Sequence, residues 1–471
     1  MSSFIPSSIS TDPAGVNEAV NAVRSQSSNF IIRSWCYLTT EVLGSTILGG
    51  PQFDSSQGSR LKSSFPSDIN LLTATIQDLQ AYLSNGSITS VELTKKYLTR
   101  IEANNFAGLN LRAVVETAPY EHVIGIAQYY DDLRAKGTVL SELHGIPLLI
   151  KDNIATDVEL DATVISKLRS KGAIVLGKAS MTEFANFRGS IENGWGARHG
   201  QCQSAYVVGG FDAGGDPSGS SSGSAVAISA GFAAGTLGSE TDGSIIDPAG
   251  RAAAYGIKPS IGLVSRSGVI PISSSQDTVG PIVRSTYDAA LLLTHLAGYD
   301  AADPATHDVA EHVHHDYTQF TKPSYATFKG KKLGIPSDDE SKAQKAQDAF
   351  NRAVSKIESL GAIIQDPAEI PSMDEWLASD AEWVVMTTEF KEGIATYLKD
   401  MTSSDVRTLE DIINFNDTHP VRRTLKLCFD LEFPPGQRGQ QTFITSLQTA
   451  GTESQPYLDA VKTSGFRLLC D

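Results

Sequence analysis

The sequence predicts a single large α/β domain with a central mixed β-sheet covered by helices on both faces. Three observations point there. First, Ile146-Pro147-Leu148-Leu149-Ile150 is continuously apolar, the pattern of a strand buried on both sides. Second, a helix-compatible stretch at residues 161–171 leads into another apolar run, Ala173-Ile174-Val175-Leu176. That makes a β-α-β unit, whose crossover lays a helix on a sheet. Third, no internal repeat and no clean linker divides the 471 residues, of which 41% are hydrophobic and 20% charged. Such a composition sustains a sizeable core.

The elements follow in order. Residues 1–66 are Ser-rich and aperiodic, and are expected to form a variable, poorly ordered arm. The main domain is expected over residues 67–471. A short helix is predicted at residues 73–83. After the Asn85-Gly86 turn, Thr89-Ser90-Val91-Glu92 makes a capping box with Thr89 as N-cap, and Ile88 and Leu93 are spaced as its hydrophobic staple. Leu93, Tyr97 and Ile101 then recur every four residues on one face. A second helix is predicted at residues 120–135, stopping at Gly137. Residues 225–234 are Ala-rich and helix-compatible. Residues 330–336 read as a strand, and residues 342–360 as an amphipathic helix ending at Gly361.

Composition excludes several classes. A formal net charge of −16 disfavours nonspecific binding to nucleic acid or anionic membrane. Cys36, Cys202, Cys428 and Cys470 are scattered without a CxxC pair, so neither a disulfide framework nor a finger-type zinc site is expected. Residues 29–50 are moderately apolar, but Arg33 and Glu41 interrupt them, which argues against a membrane span. The opening Met1-Ser2-Ser3-Phe4-Ile5-Pro6 lacks a basic stretch leading into an apolar run, so a cytoplasmic protein is expected.

The informative block is Gly214-Gly215-Asp216-Pro217-Ser218-Gly219-Ser220-Ser221-Ser222-Gly223-Ser224-Ala225. Gly238-Ser239-Glu240-Thr241-Asp242-Gly243-Ser244-Ile245-Ile246-Asp247-Pro248-Ala249 follows. Glycine permits close backbone approach, and successive N–H groups in such loops make concavities for a phosphate or a developing oxyanion. No GxxxxGK[ST] motif is present, and no GxGxxG opens a helix, so the phosphate reading is weak. A plain linker would not be flanked by an Ala-rich helix and a second block of turn chemistry.

These two blocks, with Lys151-Asp152-Asn153 after the first strand, resemble the amidase signature family in its fungal-type variant. The later segments Tyr255-Gly256-Ile257-Lys258-Pro259, Gly268-Val269-Ile270-Pro271 and Gln276-Asp277-Thr278-Val279-Gly280-Pro281 extend the resemblance, which covers about residues 71–458. It implies an amidase signature fold. It also implies hydrolysis of a carboxamide to a carboxylate and ammonia or an amine, through a Ser-cisSer-Lys triad and an acyl-enzyme. Position by position, it implies Ser244 as nucleophile, Ser220 as the bridging serine on a cis peptide, and Lys151 as base. The backbone N–H groups of Thr241, Asp242, Gly243 and Ser244 would form the oxyanion hole. No cofactor and no metal are implied. The partner is a small-molecule amide, and a homo-oligomer is compatible with the sequence.

The chemistry is coherent. A serine hydroxyl needs a nearby base, and lysine serves only when neutral, so Lys151 is expected to be desolvated. Each residue also has a plainer role open to it. A Lys before Asp at a strand end is usually solvated; any one of Ser218, Ser220, Ser221, Ser222 and Ser224 is more often a turn residue than a catalyst, and Ser222 or Ser224 is open to hydrogen bonding within the site or capping the following helix. His312, His314 and His315 cluster locally without further ligands. His144 or His199 would be needed for a Ser-His-Asp triad, but Ser244 is not in a GxSxG elbow.

The sequence departs from the family pattern in three places. Asp242 stands where glycine is commoner and would have to accept left-handed geometry. The stretch between Asn153 and Asp161 is short, which would open Lys151 to water. The chain also stops at Asp471, which would leave a sheet edge uncovered. Two rival readings follow: a glutamine-dependent amidotransferase of the A type, or a truncated, catalytically impaired homologue.

Overall fold

Strand β2, Pro147–Lys151, runs through the middle of the molecule, and all five of its residues are buried. Successive strand side chains point to opposite faces, so both faces of the sheet are covered at this point. The structure, a computed structural model, describes residues 69–156, 161–308, 313–322, 328–335, 344–368, 378–399, 401, 404–418 and 439–463. The arm expected at residues 1–66 lies outside them, as do Cys36, Cys428, Cys470, His312 and the chain's last eight residues.

The other strands of the main sheet are β1 (Val114–Thr117), β3 (Ile174–Ala179), β6 (Gly235–Glu240), β7 (Tyr255–Gly256) and β8 (Thr278–Val283). Their order is β1-β3-β2-β6-β8-β7. The central trio β3, β2 and β6 is parallel, while β1, β8 and β7 join antiparallel, so the sheet is mixed as predicted. Two small sheets accompany it. The pair β4 (Trp195–Gly196) and β5 (Gly200–Gln201) is antiparallel, and the pair β9 (Lys332–Gly334) and β10 (Ile363–Gln365) is parallel.

Twelve α-helices lie among the described residues: α1 (Ile76–Ser84), α2 (Ser90–Asn104), α3 (Tyr120–Ala135), α4 (Thr163–Ser170), α5 (Ser222–Ala230), α6 (Ile246–Arg251), α7 (Thr286–Leu296), α8 (Gln344–Ser359), α9 (Ala381–Lys399), α10 (Leu409–Thr418), α11 (Gln441–Leu447) and α12 (Gln455–Thr463). The capping box at Thr89 forms in full: its side chain accepts from Glu92 N, and Glu92 returns to the Thr89 amide. Ile88 and Leu93, the staple pair, are both buried. A second capping box, Thr75 with Asp78, starts α1 three residues after the predicted start at 73. Helix α3 has the predicted bounds.

The predicted β-α-β unit is β2-α4-β3. Leu148, Leu149 and Ile150 are completely buried, as are Val164, Ile165 and Leu168 of α4. Each such side chain contributes roughly 1.5–3 kcal/mol on leaving water. Helix α5 begins at Ser222, ahead of the Ala-rich run predicted, and ends at Gly231 in left-handed geometry. Its small residues let it lie close against the sheet. A Cβ on Gly223 would collide with Ser180 and with the Ala113 carbonyl. A second apolar cluster of Phe187, Ile272, Phe390, Leu409 and Phe443 joins α9, α10 and α11 to the main body, with the Phe390 and Phe443 rings stacked.

Candidate active site

Parallel strands β2 and β6 lie side by side, and their carboxyl ends open onto the same place. In α/β sheets this is where ligands bind. Lys151 is the last residue of β2. Its Nζ lies 2.8 Å from Ser220 Oγ and donates to the Ser239 carbonyl at 2.7 Å. Lys151 is 0% exposed and Ser220 1% exposed. Burial lowers the Lys151 pKa from its ordinary 10.5 to about 7, against the opposing pull of Glu240 and Asp277. The side chain is therefore poised between its charged and neutral forms at neutral pH.

Ser220 follows a cis peptide bond after Gly219. Its carbonyl accepts the Thr182 amide at 3.0 Å, and the next amide, Ser221 N–H, donates to the Ser244 carbonyl at 3.1 Å. The two Gly/Ser blocks are thus joined directly through the backbone. Ser222 Oγ donates to the Ser218 carbonyl and Ser224 Oγ to the Leu237 carbonyl, so both bind backbone and neither caps α5.

Residues 241–244 form the turn between β6 and α6. Gly243 takes φ +71°, and Asp242 is not left-handed. This corrects the expected strain: the position that requires glycine falls one residue later, where the chain has it. Glu240 is the brace of the turn. One carboxylate oxygen accepts Gly243 N–H at 2.9 Å, and the other accepts Ile245 N–H at 2.6 Å and Ile246 N–H at 3.0 Å. The Gly243 amide is therefore engaged by Glu240. The amides of Thr241, Asp242 and Ser244 have no partner among the described residues. Ser244 is 8% exposed, buried but within reach of the surface.

Residues 268–270 are bonded to the residues that follow Lys151. Ala155 N–H donates to the Gly268 carbonyl and Ile270 N–H to the Asn153 carbonyl, both at 2.9 Å, and Ile154 bridges Val269. This corrects a second expectation. The stretch after Asn153 is short, yet Lys151 is not opened to water: it is 0% exposed, and residues 153–155 that follow it are tied to a later segment. Beyond Ser244, burial together with the charges of Glu382, Glu240 and Asp247 pushes Asp242 well above the usual carboxylate range, and burial raises Glu382 too.

Against this geometry, three comparisons with known proteins agree. The family described as Amidase matches residues 92–445. The chain belongs to the amidase signature family. A probable amidase of Arabidopsis thaliana is 36% identical over 417 residues, 84% of this chain and 76% of that one. The peptide amidase of Stenotrophomonas maltophilia has a solved structure that superposes with TM-score 0.73. It is 37% identical and covers 83% of this chain, 78% of its own. A glutamyl-tRNA(Gln) amidotransferase chain of Moorella thermoacetica is 33% identical over 346 residues, 70% of this chain and 66% of that one. This amidase is an enzyme that hydrolyses amides. Among its described residues no helix is long and apolar enough to cross a membrane.

The other sequence candidates are placed elsewhere. His144 lies before the opposite end of β2, with Nε2 2.9 Å from the Tyr130 carbonyl. His199 Nε2 sits 3.0 Å from the Met181 carbonyl, and burial lowers its pKa to about 4. His314 packs edge-on against Tyr317 and Phe320. Burial pushes the Cys202 thiol up to about 12. Sequence reasoning names no role for Glu240 or Asp277. Both lie inside quoted motif segments, but only their hydrogen bonds reveal what they hold.

Proposed function

We propose that this amidase hydrolyses a carboxamide through Ser244 as nucleophile, Ser220 as proton bridge and Lys151 as base. The observation that carries the reading is the buried Lys151 amine, 2.8 Å from the Ser220 hydroxyl and bonded to the strand that leads to Ser244. A neutral Lys151 accepts the Ser220 proton as Ser220 accepts the Ser244 proton. Ser244 Oγ then attacks the amide carbonyl carbon. The tetrahedral oxyanion falls to the hole expected from Thr241, Asp242, Gly243 and Ser244. Free amides at Thr241, Asp242 and Ser244 support it, whereas the Gly243 N–H, already donated to Glu240, is not free to join them. The proton returns through Ser220 to the leaving nitrogen, the C–N bond breaks, and water hydrolyses the acyl-enzyme.

Peptide amides are the first substrates to try, because a peptide amidase shares this fold at 37% identity. The test is labelling with a fluorophosphonate probe, the modified residue being located by mass spectrometry. Labelling at Ser244 that disappears in Lys151→Ala is expected. Absence of labelling in folded protein would sink the triad and favour the catalytically impaired homologue. The similarity to a glutamyl-tRNA(Gln) amidotransferase chain supports a second reading, glutamine as ammonia source. Glutamine hydrolysis outpacing that of every other amide tried is its signature.

A further inference from the structure

The turn at residues 272–277 contains none of the proposed reacting groups, yet it is bonded to the loop that does. Thr241 Oγ1 donates to Asp277 Oδ1 at 2.6 Å. The other oxygen, Oδ2, accepts the backbone N–H groups of Ile272 and Ser273 at 2.7 and 3.0 Å. One carboxylate thus closes its own turn and grips the oxyanion loop. The register explains the meeting. Glu240 pairs with Thr278 at the end of the β6–β8 ladder, so Thr241 and Asp277 are the first residues past the last pair. On its far side the turn is fastened to α9: Ser273 Oγ and the amide and hydroxyl of Ser275 all donate to Glu389 Oε2.

We propose that Asp277 is a positioning residue, holding the Thr241 end of the oxyanion loop through the Thr241 hydroxyl. The inference rests on the assignment of Ser244 and its loop given above. Negative charge develops on the substrate oxygen only as the tetrahedral species forms. A donor displaced by a fraction of an ångström therefore costs turnover and leaves ground-state binding alone. Glu240 holds the loop from within, by way of the Gly243, Ile245 and Ile246 amides. Asp277 holds the opposite end from a different strand, and no other hydrogen bond is made by the Thr241 side chain among the described residues.

The test is a set of variants assayed on one substrate. Thr241→Val keeps the side-chain shape and removes the hydroxyl; kcat is expected to fall roughly 10- to 100-fold, with KM within about twofold. Thr241→Ser keeps the hydroxyl and is expected to restore kcat to within about threefold of the parent. Asp277→Ala, which removes the acceptor, loses at least as much as Thr241→Val, and the double variant loses no more than the slower single, because both remove the Thr241–Asp277 bond. Wild-type kcat in Thr241→Val overturns the proposal. So does a raised KM in place of a lowered kcat, or a Thr241→Ser enzyme as slow as Thr241→Val. If Asp277→Ala fails to fold, the Val and Ser variants decide alone. Ser244→Ala separates the two levels: turnover in that variant sinks the nucleophile assignment, whereas a dead Ser244→Ala beside a fully active Thr241→Val sinks only the role of Asp277.

Discussion

In the proposed relay, Lys151 joins chemistry to stability in one side chain. Its ammonium is the form that burial disfavours, so protonation below about pH 7 is expected to remove the base and lower kcat as pH falls through that value. A rate that stays flat down to acid unfolding would contradict it. The same shift acts on folding. Between about 7 and the ordinary 10.5, the unfolded chain carries a proton on Lys151 that the native chain does not. Stability contributed by this residue therefore rises with pH across that window. Lys151→Met is expected to abolish turnover and to flatten the pH dependence of the thermal midpoint between about pH 7 and 10.5. Ser244→Ala is expected to abolish turnover with the thermal midpoint within a few degrees of the parent, checked by calorimetry and a product assay. At this scale the sequence is most legible. Lys151 and Ser220 can be named from motif register, and they come together. Glu240 and Asp277 cannot, because a carboxylate in a motif does not announce whether it meets substrate or backbone amides. The left-handed position falls on Gly243 rather than Asp242, since turn geometry depends on which residue of the loop turns left-handed.

At the scale of elements, legibility follows apolar patterning and capping chemistry. Helices α2 and α3 and strand β2 emerge at or within a residue of their predicted places. Strands β6 and β8 are not foreshadowed by any such pattern. β6 reads Gly-Thr-Leu-Gly-Ser-Glu, and β8 contains Gly280 and Pro281, so neither carries an apolar run or a clean alternation. Their composition reflects crowding: a Cβ on Gly238 would meet Ser221 and Ile245, and one on Gly280 would meet the Ile257 carbonyl. Small residues here are imposed by neighbours that only the folded chain brings close. Helix α5 depends on the same economy of space. Gly223→Ala is expected to destabilise the enzyme by about 1–3 kcal/mol, because the new methyl must displace Ser180 and the Ala113 backbone. Urea unfolding measures it, and an unchanged midpoint would show that the helix can shift at no cost.

The whole molecule is a mixed sheet with a second apolar cluster, built from α9, α10 and α11, set against one flank. Polar bonds reinforce that flank. Glu389 of α9 accepts the Tyr457 hydroxyl of α12 at 2.7 Å, besides the bonds from Ser273 and Ser275. Tyr457→Phe removes a hydrogen bond to a buried carboxylate and is expected to cost roughly 1.5–3 kcal/mol, seen as faster amide exchange in α12. Exchange unchanged in α12 would mean that the helix is held by apolar packing alone. This flank is the least legible part of the fold, because its contacts join residues far apart in the chain, such as Ser273 and Glu389.

The juxtaposition of β2 and β6 has a consequence for inheritance. Every group in the proposed proton relay comes from the segment between Pro147 and Arg251, whereas the flank of α9, α11 and α12 is drawn from the last quarter of the chain. The proposed relay and this flank are written in separate stretches of the gene. A change in the later stretch therefore reaches the relay through the turn at residues 272–277, which is fastened to α9 by Glu389 and to the loop before Ser244 through Thr241.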